Sequence, residues 1–168
     1  MNGIVNKTDW EFLRIWQRDV SLVREEVENL WRTYAKLPEE EIQKRIHELI
    51  LVVKFQGQIV GVSTAYIQPV KLLNNHDFAF YRNFVVSQFR IAGLDFAITK
   101  ESVATLEEAY PQTENQRVKG VITIIENNDL KTSPTMKKAV WLNVPFVFIG
   151  NTSAGHPIRV YYFKNARI

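Results

Sequence analysis

The stretch FVVSQFRIAGLD, at residues 84–95, has residue types and a spacing that suit the binding of a phosphate group. Arg90 and Gly93 stand three positions apart, between an aromatic run typical of a strand and a longer pattern typical of a helix. The first four main-chain N–H groups of a helix lack partners, and the helix dipole favours an anion beside them. A glycine lets the main chain approach such a ligand closely, because it has no Cβ. The spacing predicts an anion-binding turn, for which an empty strand-to-helix connection is the alternative.

The segments before and after this turn differ in the periodicity of their apolar residues. The segment DFAFYRNFVV, at residues 77–86, alternates as a strand does. Its predicted faces are Phe78, Phe80, Arg82 and Phe84 on one side and Asp77, Ala79, Tyr81 and Asn83 on the other. After the turn the pattern predicts a helix that ends at Pro111, with an inward face of Phe96, Thr99, Val103, Leu106 and Tyr110.

The N-terminal quarter is predicted to be mainly helical. Apolar residues at helical spacing indicate a helix over about residues 21–36. A second helix begins at Pro38, since proline and the three glutamates after it suit a first turn. Thr8 and Glu11 have the spacing of a capping box. The segment from Glu11 to Arg18 fits a strand or a helix equally well.

The remaining elements are mostly strands, predicted from β-branched and aromatic content. They are LILVVKF (49–55) and IVGVSTAYI (59–67), which form a hairpin at Gly57, then GVITII (120–125), and finally VPFVFIG (144–150) and PIRVYYF (157–163), which flank a six-residue loop. Ser133 and Pro134 indicate the start of a short helix that ends near Leu142. This order predicts an α/β fold of the α+β type, with a mixed, mostly antiparallel sheet and helices on both of its faces.

Composition restricts the classes of function. A chain of 168 residues with a net charge of +3 is expected to form a single domain, residues 1–168, without a basic tail. There is no cysteine, which excludes a disulfide framework and a cysteine nucleophile, and the three histidines lack metal-ligand spacing. The charged first twenty residues do not form a signal-peptide core, and no apolar run is long enough to span a bilayer. The sequence predicts a cytoplasmic protein without a metal.

The turn and its neighbours resemble the GNAT superfamily of CoA-dependent N-acyltransferases. In the signature of that family a valine precedes by five residues the Arg or Gln that opens an R/Q-x-x-G-x-G/A loop, and Val85, Arg90 and Gly93 fill those positions. KFQGQIVGVSTAYI is similar to the second and third strands of the family. VITIIENN is similar to the fifth strand and the asparagine after it, and AVWLNVPFVFIG to the fourth helix and sixth strand. The resemblance covers about residues 49–164 and implies the acyl-CoA N-acyltransferase fold.

The resemblance implies a site for acetyl-CoA or another acyl-CoA. The pyrophosphate is expected in the loop formed by Arg90, Ile91, Ala92, Gly93, Leu94 and Asp95. Main-chain N–H groups near Val85 and Val86, at a bulge of the strand, are expected to pair with the pantetheine arm and to polarise the thioester carbonyl. Asn128 is similar to the asparagine of the family that contacts pantetheine. Two departures from the family are Asp95, in place of a small residue, and the absence of a tyrosine from MKKAVWLN in the fourth helix.

Acid and base candidates follow from the chemistry of direct acyl transfer. A lysine-like amine with a pKa of about 10.4 needs roughly 4 to 5 kcal/mol to be neutral at pH 7, so a proton acceptor helps. Tyr81 is a candidate acid or water-orienting group, and Glu126, at the end of the next strand, is a candidate base acting through water. Each also has a purely structural interpretation, as an aromatic sheet residue and as a solvated strand end.

The leading hypothesis is an N-acyltransferase that moves an acyl group from CoA directly to an amine on a small molecule or a protein. Two alternatives remain open: a non-catalytic interaction module with the same fold, and an enzyme that uses a long-chain or carrier-protein donor. A nucleic-acid partner is not expected, because no basic stripe is interleaved with aromatic residues. The sequence does not determine the oligomeric state, although the exposed edge of the last hairpin is a candidate surface for a homodimer.

Overall fold

The computed structural model describes residues 9–126, 134, 138 and 144–168. Within them the α-helices and β-strands are β1 (Trp10–Arg14), α1 (Arg24–Leu30), α2 (Glu39–Arg45), β2 (Leu49–Phe55), β3 (Gln58–Val70), β4 (His76–Val85), α3 (Leu94–Ala109), β5 (Val118–Ile124), β6 (Val147–Asn151) and β7 (Pro157–Tyr162). The predicted strand and helix order is confirmed from residue 21 to residue 126 and in the last hairpin. The predicted short helix at 133–142 lies outside the described residues. None of the described helices is long and apolar enough to cross a membrane.

The strands form one mixed, mostly antiparallel sheet in the order β1-β2-β3-β4-β5-β7-β6. The pairs β1–β2, β2–β3, β5–β7 and β6–β7 are antiparallel, whereas β4 and β5 are parallel. The β2–β3 hairpin turns at Gln56 and Gly57, whose φ values of 48° and 82° match the twist of antiparallel strands. The predicted fold class is therefore confirmed.

The chain divides into two compact units. The first contains the residues up to Thr64 together with Asn83–Thr105, and the second contains Ala65–Arg82 and Leu106–Ile168. Each unit includes part of β3, β4 and α3. The expected single domain over residues 1–168 stays a prediction.

The first unit packs helices on both faces of β3. Val62 belongs to an apolar cluster that includes Val27 of α1 and Ile42 of α2. The adjacent residue, Ser63, points to the opposite face, since side chains alternate along a strand. There its hydroxyl lies 2.8 Å from the hydroxyl of Ser102 in α3, and both residues are buried.

The second unit has its own apolar cluster, built on the last strands of the sheet. Phe78, Ile122 and Val160, from β4, β5 and β7, are its buried members. The ring of Tyr162 meets Phe78 edge-on, with the ring centroids 5.8 Å apart. Because these side chains come from three adjacent strands, they lie side by side on one sheet face.

The N-terminal segment differs from the helical prediction. Trp10–Arg14 is a strand that pairs with β2, from Trp10↔Phe55 to Arg14↔Leu51, so the capping-box spacing at Glu11 does not begin a helix. Of the two alternatives for residues 11–18, a strand or a helix, the structure therefore shows a strand as far as Arg14. The Trp10 and Phe55 ring centroids lie 4.8 Å apart. This cross-strand packing favours a strand at residues 10–14, a preference that the local sequence pattern does not show.

The predicted inward face of α3 is confirmed in part. The helix has the expected extent, and Val103 and Leu106 of the predicted face are buried, whereas Phe96 and Thr99 are only half-buried. The other buried residues of the helix are Leu94, Ile98, Ser102 and Thr105. The physical reason is that Ser102 and Thr105 are buried with their hydroxyls satisfied, Thr105 by the carbonyl of Glu101 at 2.8 Å. A periodicity argument that places apolar residues inward does not foresee buried hydroxyls.

Candidate functional site

A single 3₁₀ turn and five further residues connect β4 to α3. The 3₁₀ turn spans Ser87–Phe89, and Phe89 and Arg90 donate main-chain N–H groups to the carbonyls of Val86 and Ser87, at 2.9 and 3.2 Å. The carbonyl of Gly93 accepts from the N–H of Ala97 at 3.0 Å, so α3 begins directly after Gly93. The expected strand–turn–helix arrangement is present.

Gly93 occupies a conformation that favours glycine. Its φ is +84°, and a Cβ built on it would meet nothing within 4 Å. The requirement for glycine is therefore one of backbone conformation, since the space beside it is open. That open space lies at the N-terminus of a 16-residue helix, where an anion gains from the helix dipole.

The main-chain N–H groups of the turn divide into two sets. Leu94 donates to the carbonyl of Ile91 at 3.2 Å, and Arg90 is bonded to Ser87. Within the part of the chain that the structure describes, the N–H groups of Ile91, Ala92, Gly93 and Asp95 have no main-chain acceptor. These four residues are exposed, whereas Leu94 is buried. Four of the six predicted loop residues therefore offer N–H groups to a ligand.

The Arg90 side chain folds back onto the end of β4. Its Nε donates to the carbonyl oxygen of Val85 at 3.0 Å. This is the only hydrogen bond of the Arg90 side chain among the described residues, and the residue is exposed. The guanidinium thus ties the turn to the strand through one nitrogen and retains its terminal N–H groups for an anion.

Asp95 lies in the first turn of α3, as the sequence indicates. It is exposed, and no ion pair or hydrogen bond of its carboxylate occurs in the described part of the chain. A carboxylate at this position interacts favourably with the helix dipole. The same carboxylate repels a second anion bound at the helix N-terminus.

The main-chain N–H groups of Val85 and Val86, at the end of β4, point in different directions. The N–H of Val86 donates to the carbonyl of Val60 in β3 at 2.9 Å. The carbonyl of Phe84 also faces β3, where it lies 3.1 Å from the place a Cβ would take on Gly61. Because N–H and C=O directions alternate along a strand, the N–H of Val85 points away from β3. The N–H of Val86 is therefore already bonded to β3, and the N–H of Val85 is not directed at that strand. The ligand-polarising role expected near both valines stays a prediction.

The parallel pairing of β4 with β5 stops before β4 ends. The register runs from Asp77↔Val118 to Tyr81↔Thr123, whereas β4 continues to Val85. Among the described residues of β5, none pairs with the last four residues of β4.

The predicted acid and base have contrasting surroundings. Tyr81 is 5% exposed and pairs with Thr123 of β5, and Glu126 is exposed two residues beyond the end of that strand. The structure shows no hydrogen bond between these two side chains. Asn128 lies outside the described residues. In the described part of the chain no group of three or more His, Asp or Glu side chains is placed to hold a metal ion.

Sequence reasoning assigned no role to two polar arrangements in the second unit. Arg82 lies over the ring of Tyr66, with its guanidinium carbon 5.0 Å from the ring centroid, and Tyr66 stacks on Phe80 at 5.1 Å. The predicted alternation of β4 does place Arg82 and Phe80 on one face. Tyr161 donates to the Glu107 carboxylate at 3.3 Å, and both burial and this carboxylate raise the pKa of Tyr161.

Comparison with known proteins supports the fold. Neither a family model nor a curated protein matches the sequence. Among solved structures, the chain is similar to a GNAT-family acetyltransferase from Streptococcus pneumoniae, with a TM-score of 0.60 and 12% identity over 92% of this chain and 99% of that one. NAA60 from Arabidopsis thaliana in complex with acetyl-CoA has a TM-score of 0.55 and 12% identity, over 91% of this chain and 97% of that one.

A third similar structure is the ribosomal-protein-S18-alanine N-acetyltransferase from Escherichia coli. Its TM-score is 0.58 at 10% identity, and the match covers 94% of this chain and 96% of that one. The chain therefore has the GNAT fold that the sequence resemblance implies.

Proposed function

We propose that this protein is an N-acyltransferase that moves an acetyl or other acyl group from a CoA thioester directly to an amine. The observation that carries the proposal is the turn before α3, where Gly93 has a φ of +84° and four exposed residues offer main-chain N–H groups. Acetyl-CoA in the complex of Arabidopsis NAA60, which shares the fold, supports an acyl-CoA as the ligand.

The pyrophosphate of the acyl-CoA binds at this turn. Ile91, Ala92, Gly93 and Asp95 donate main-chain N–H groups to its oxygens, and the dipole of α3 adds a favourable interaction. Arg90 adds charge through the terminal nitrogens that its bond to Val85 leaves available. The Asp95 carboxylate opposes binding by about 1 kcal/mol at roughly 4 Å in water. Several charge-assisted hydrogen bonds, each of about 1.5 to 3 kcal/mol, outweigh that repulsion.

The thioester lies along the end of β4, on the side away from β3. The N–H of Val85, which points away from β3, donates to the carbonyl oxygen of the thioester and stabilises the oxyanion that develops there. The neutral amine attacks the carbonyl carbon, the C–N bond forms, and the C–S bond breaks. The sulfur leaves as a thiolate that takes up a proton. Because the chain has no cysteine, the transfer does not pass through a thioester on the enzyme.

The amine must lose a proton before it attacks. Glu126 is exposed and takes this proton through a water molecule, while the Tyr81 hydroxyl orients water or protonates the thiolate. Asn128 contributes an amide to the pantetheine arm. These three roles rest on the position of each residue in the sequence. For Tyr81 and Glu126 they rest also on the pairing of β4 with β5, since Tyr81 is in β4 and Glu126 follows β5 by two residues.

The acceptor is an amine on a protein, a peptide or a small molecule. The protein similar to this chain from Escherichia coli acts on the alanine of ribosomal protein S18, which favours a peptide or protein amino group. A cytoplasmic location and a homodimer through the edge of the last hairpin belong to the same proposal.

A second candidate function is a non-catalytic interaction module, which Asp95 favours. A carboxylate in the first turn of α3 satisfies the helix dipole without any ligand. The two functions differ in one measurable property, because the enzyme binds an acyl-CoA and the module does not.

Calorimetric titration of acetyl-CoA and of a longer acyl-CoA tests the proposal. Gly93→Glu places a charged side chain at the turn and is expected to abolish binding. Gly155→Glu is a matched control, since Gly155 has a φ of +80° and equally open space within 4 Å but lies in the β6–β7 loop. Binding that survives Gly93→Glu would refute the pyrophosphate site. Absence of binding by either thioester would favour the interaction module or a carrier-protein donor.

A further inference from the structure

The turn that follows Val86 has a single apolar anchor. The structure describes every residue from Ser87 to Gly93, and all of them are exposed except Phe89, which is half-buried. Phe89 packs against the apolar cluster of the first unit, to which Val62 and Val86 belong. The exposed turn therefore meets the apolar core of this unit through one side chain.

Three half-buried aromatic rings connect this anchor to two other strands of the same unit. The ring centroids of Phe89 and Phe55 lie 5.7 Å apart, and those of Phe55 and Trp10 lie 4.8 Å apart. Both separations are within the range of favourable aromatic contacts. We call the rings of Phe89, Phe55 and Trp10 the aromatic ladder. It joins the turn to β2 and, through β2, to β1.

Main-chain pairing fixes the end of the aromatic ladder that lies farther from the turn. Trp10 and Phe55 are register partners in the antiparallel pair of β1 and β2. The N–H of Gln56 donates to the carbonyl of Asp9 at 2.8 Å, so main-chain hydrogen bonding continues beyond these two residues. The Phe89 ring thus packs on two strands that are held together on both sides of the contact.

Phe89 is also adjacent to the groups proposed to bind the ligand. It directly precedes Arg90 and lies four residues before Gly93. Its N–H donates to the carbonyl of Val86 at 2.9 Å, which holds its main chain beside the end of β4. A turn that is ordered before the ligand arrives loses less conformational freedom on binding, and the affinity is correspondingly higher.

We propose that Phe89 is a positioning residue for the pyrophosphate of the acyl-CoA. This inference rests on the proposed function, because it assigns a role toward the ligand of that site. The Phe89 ring does not touch the ligand. It fixes the turn on the sheet, so that the main-chain N–H groups after Arg90 and the Arg90 guanidinium converge on the phosphate oxygens.

Calorimetric titration of acetyl-CoA into the full chain tests this role. Phe89→Ala is expected to raise the Kd about tenfold or more, because the turn then has no apolar anchor. Phe89→Tyr keeps the ring and is expected to restore the Kd to within about twofold of the wild type. Leu37→Ala is the matched control, since Leu37 is another half-buried residue packed on the same cluster but lies between α1 and α2. It is expected to lower the urea midpoint and to bind acetyl-CoA as the wild type does.

S-acetylpantetheine separates positioning of the turn from a general loss of structure. This ligand has the thioester and the pantetheine arm of acetyl-CoA but lacks the pyrophosphate. In an NMR titration Phe89→Ala is expected to bind it within about twofold of the wild type, because the contacts of the turn are not used. Equal weakening of S-acetylpantetheine and acetyl-CoA binding would overturn the positioning role.

The aromatic ladder predicts that Phe55 acts through Phe89. Phe55→Leu removes the ring between the other two and is expected to raise the Kd for acetyl-CoA about threefold in the wild-type background. In the Phe89→Ala background it should cause no further change, because the contact with Phe89 is already lost. Additive losses would contradict the ladder as the means of positioning.

The outcomes separate this inference from the proposed function. Binding of acetyl-CoA that Gly93→Glu abolishes and Phe89→Ala leaves unchanged would overturn the positioning role and leave the acyl-CoA site intact. A wild-type protein that binds no acetyl-CoA would overturn both.

Discussion

Arg90 donates a hydrogen bond from Nε to the carbonyl oxygen of Val85 across 3.0 Å. The five-residue spacing between these two residues in the sequence is thus a contact in the fold. The bond joins the strand end proposed to hold the thioester to the turn proposed to hold the pyrophosphate. One side chain therefore sets the relation between both parts of the proposed acyl-CoA site.

Substitution of Arg90 is expected to weaken acyl-CoA binding. Arg90→Gln removes the charge that faces the pyrophosphate and should raise the calorimetric Kd about tenfold, or about 1.4 kcal/mol. Arg90→Lys keeps the charge but loses the planar fork, so it should show an intermediate loss. Arg117→Gln is the control, since Arg117 is exposed and paired with Asp77 at 3.2 Å. An unchanged Kd for Arg90→Gln would contradict the pyrophosphate site.

Removal of the Asp95 charge is expected to improve binding at a cost in stability. Asp95→Asn eliminates a repulsion of about 1 kcal/mol and should lower the Kd for acyl-CoA roughly fivefold at low salt, with a smaller effect at high salt. The same change weakens the interaction with the α3 dipole by about 0.3 to 1 kcal/mol, which urea unfolding measures. Weaker binding by Asp95→Asn would show that the carboxylate does not face the ligand.

The buried hydroxyl pair of Ser63 and Ser102 is expected to behave as a unit. Ser102→Ala leaves the Ser63 hydroxyl buried without its partner at 2.8 Å, and should lower the free energy of unfolding by about 1 to 3 kcal/mol. The double variant, with alanine at both positions, should lose less than the sum of the single variants, because neither hydroxyl is then left alone. Urea denaturation of the four proteins measures this coupling. Additive losses would contradict it.

Ionisation of Tyr161 is expected to lower the stability of the folded protein at alkaline pH. Burial, and then the Glu107 carboxylate, raise the pKa of Tyr161 above its ordinary value of 10.0. A group whose pKa is raised in the folded state contributes stability that is complete below the unfolded-state pKa. That contribution is lost as pH rises through the folded-state pKa. The free energy of unfolding should therefore fall as pH rises above about 10.

Tyr161→Phe isolates this contribution. Its urea midpoint should decline less steeply above about pH 10 than that of the wild type, because the phenol is absent. Glu107→Gln should shift the ionisation of Tyr161 to lower pH in an ultraviolet titration, since the neighbouring anion is removed. Parallel stability curves for wild type and Tyr161→Phe would count against the raised pKa.

Much of the fold was predictable because local pattern and final packing agree. The alternation of residues 77–86 predicts the strand observed as β4, which spans His76–Val85. The Gln56–Gly57 turn follows from a glycine between two β-branched runs. The candidate loop was predictable for the same reason, since Gly93 marks a φ of +84° directly before a helix. The N-terminal strand was not predictable, because the hydrophobic pattern of Trp10–Arg14 fits a helix as well as a strand. This segment is a strand because it pairs with β2.

The amino-acid sequence by itself determined the elements and the residue types at the turn. Glycine permits a positive φ, and a strand followed by a helical period requires unpaired N–H groups at the junction. Only the tertiary structure decided which of those groups are available. The N–H of Val86 donates to the carbonyl of Val60, and the N–H of Leu94 donates to the carbonyl of Ile91. The N–H of Val85, by contrast, points away from β3. The direction of an N–H group depends on strand pairing and register, which bring together residues distant in the chain.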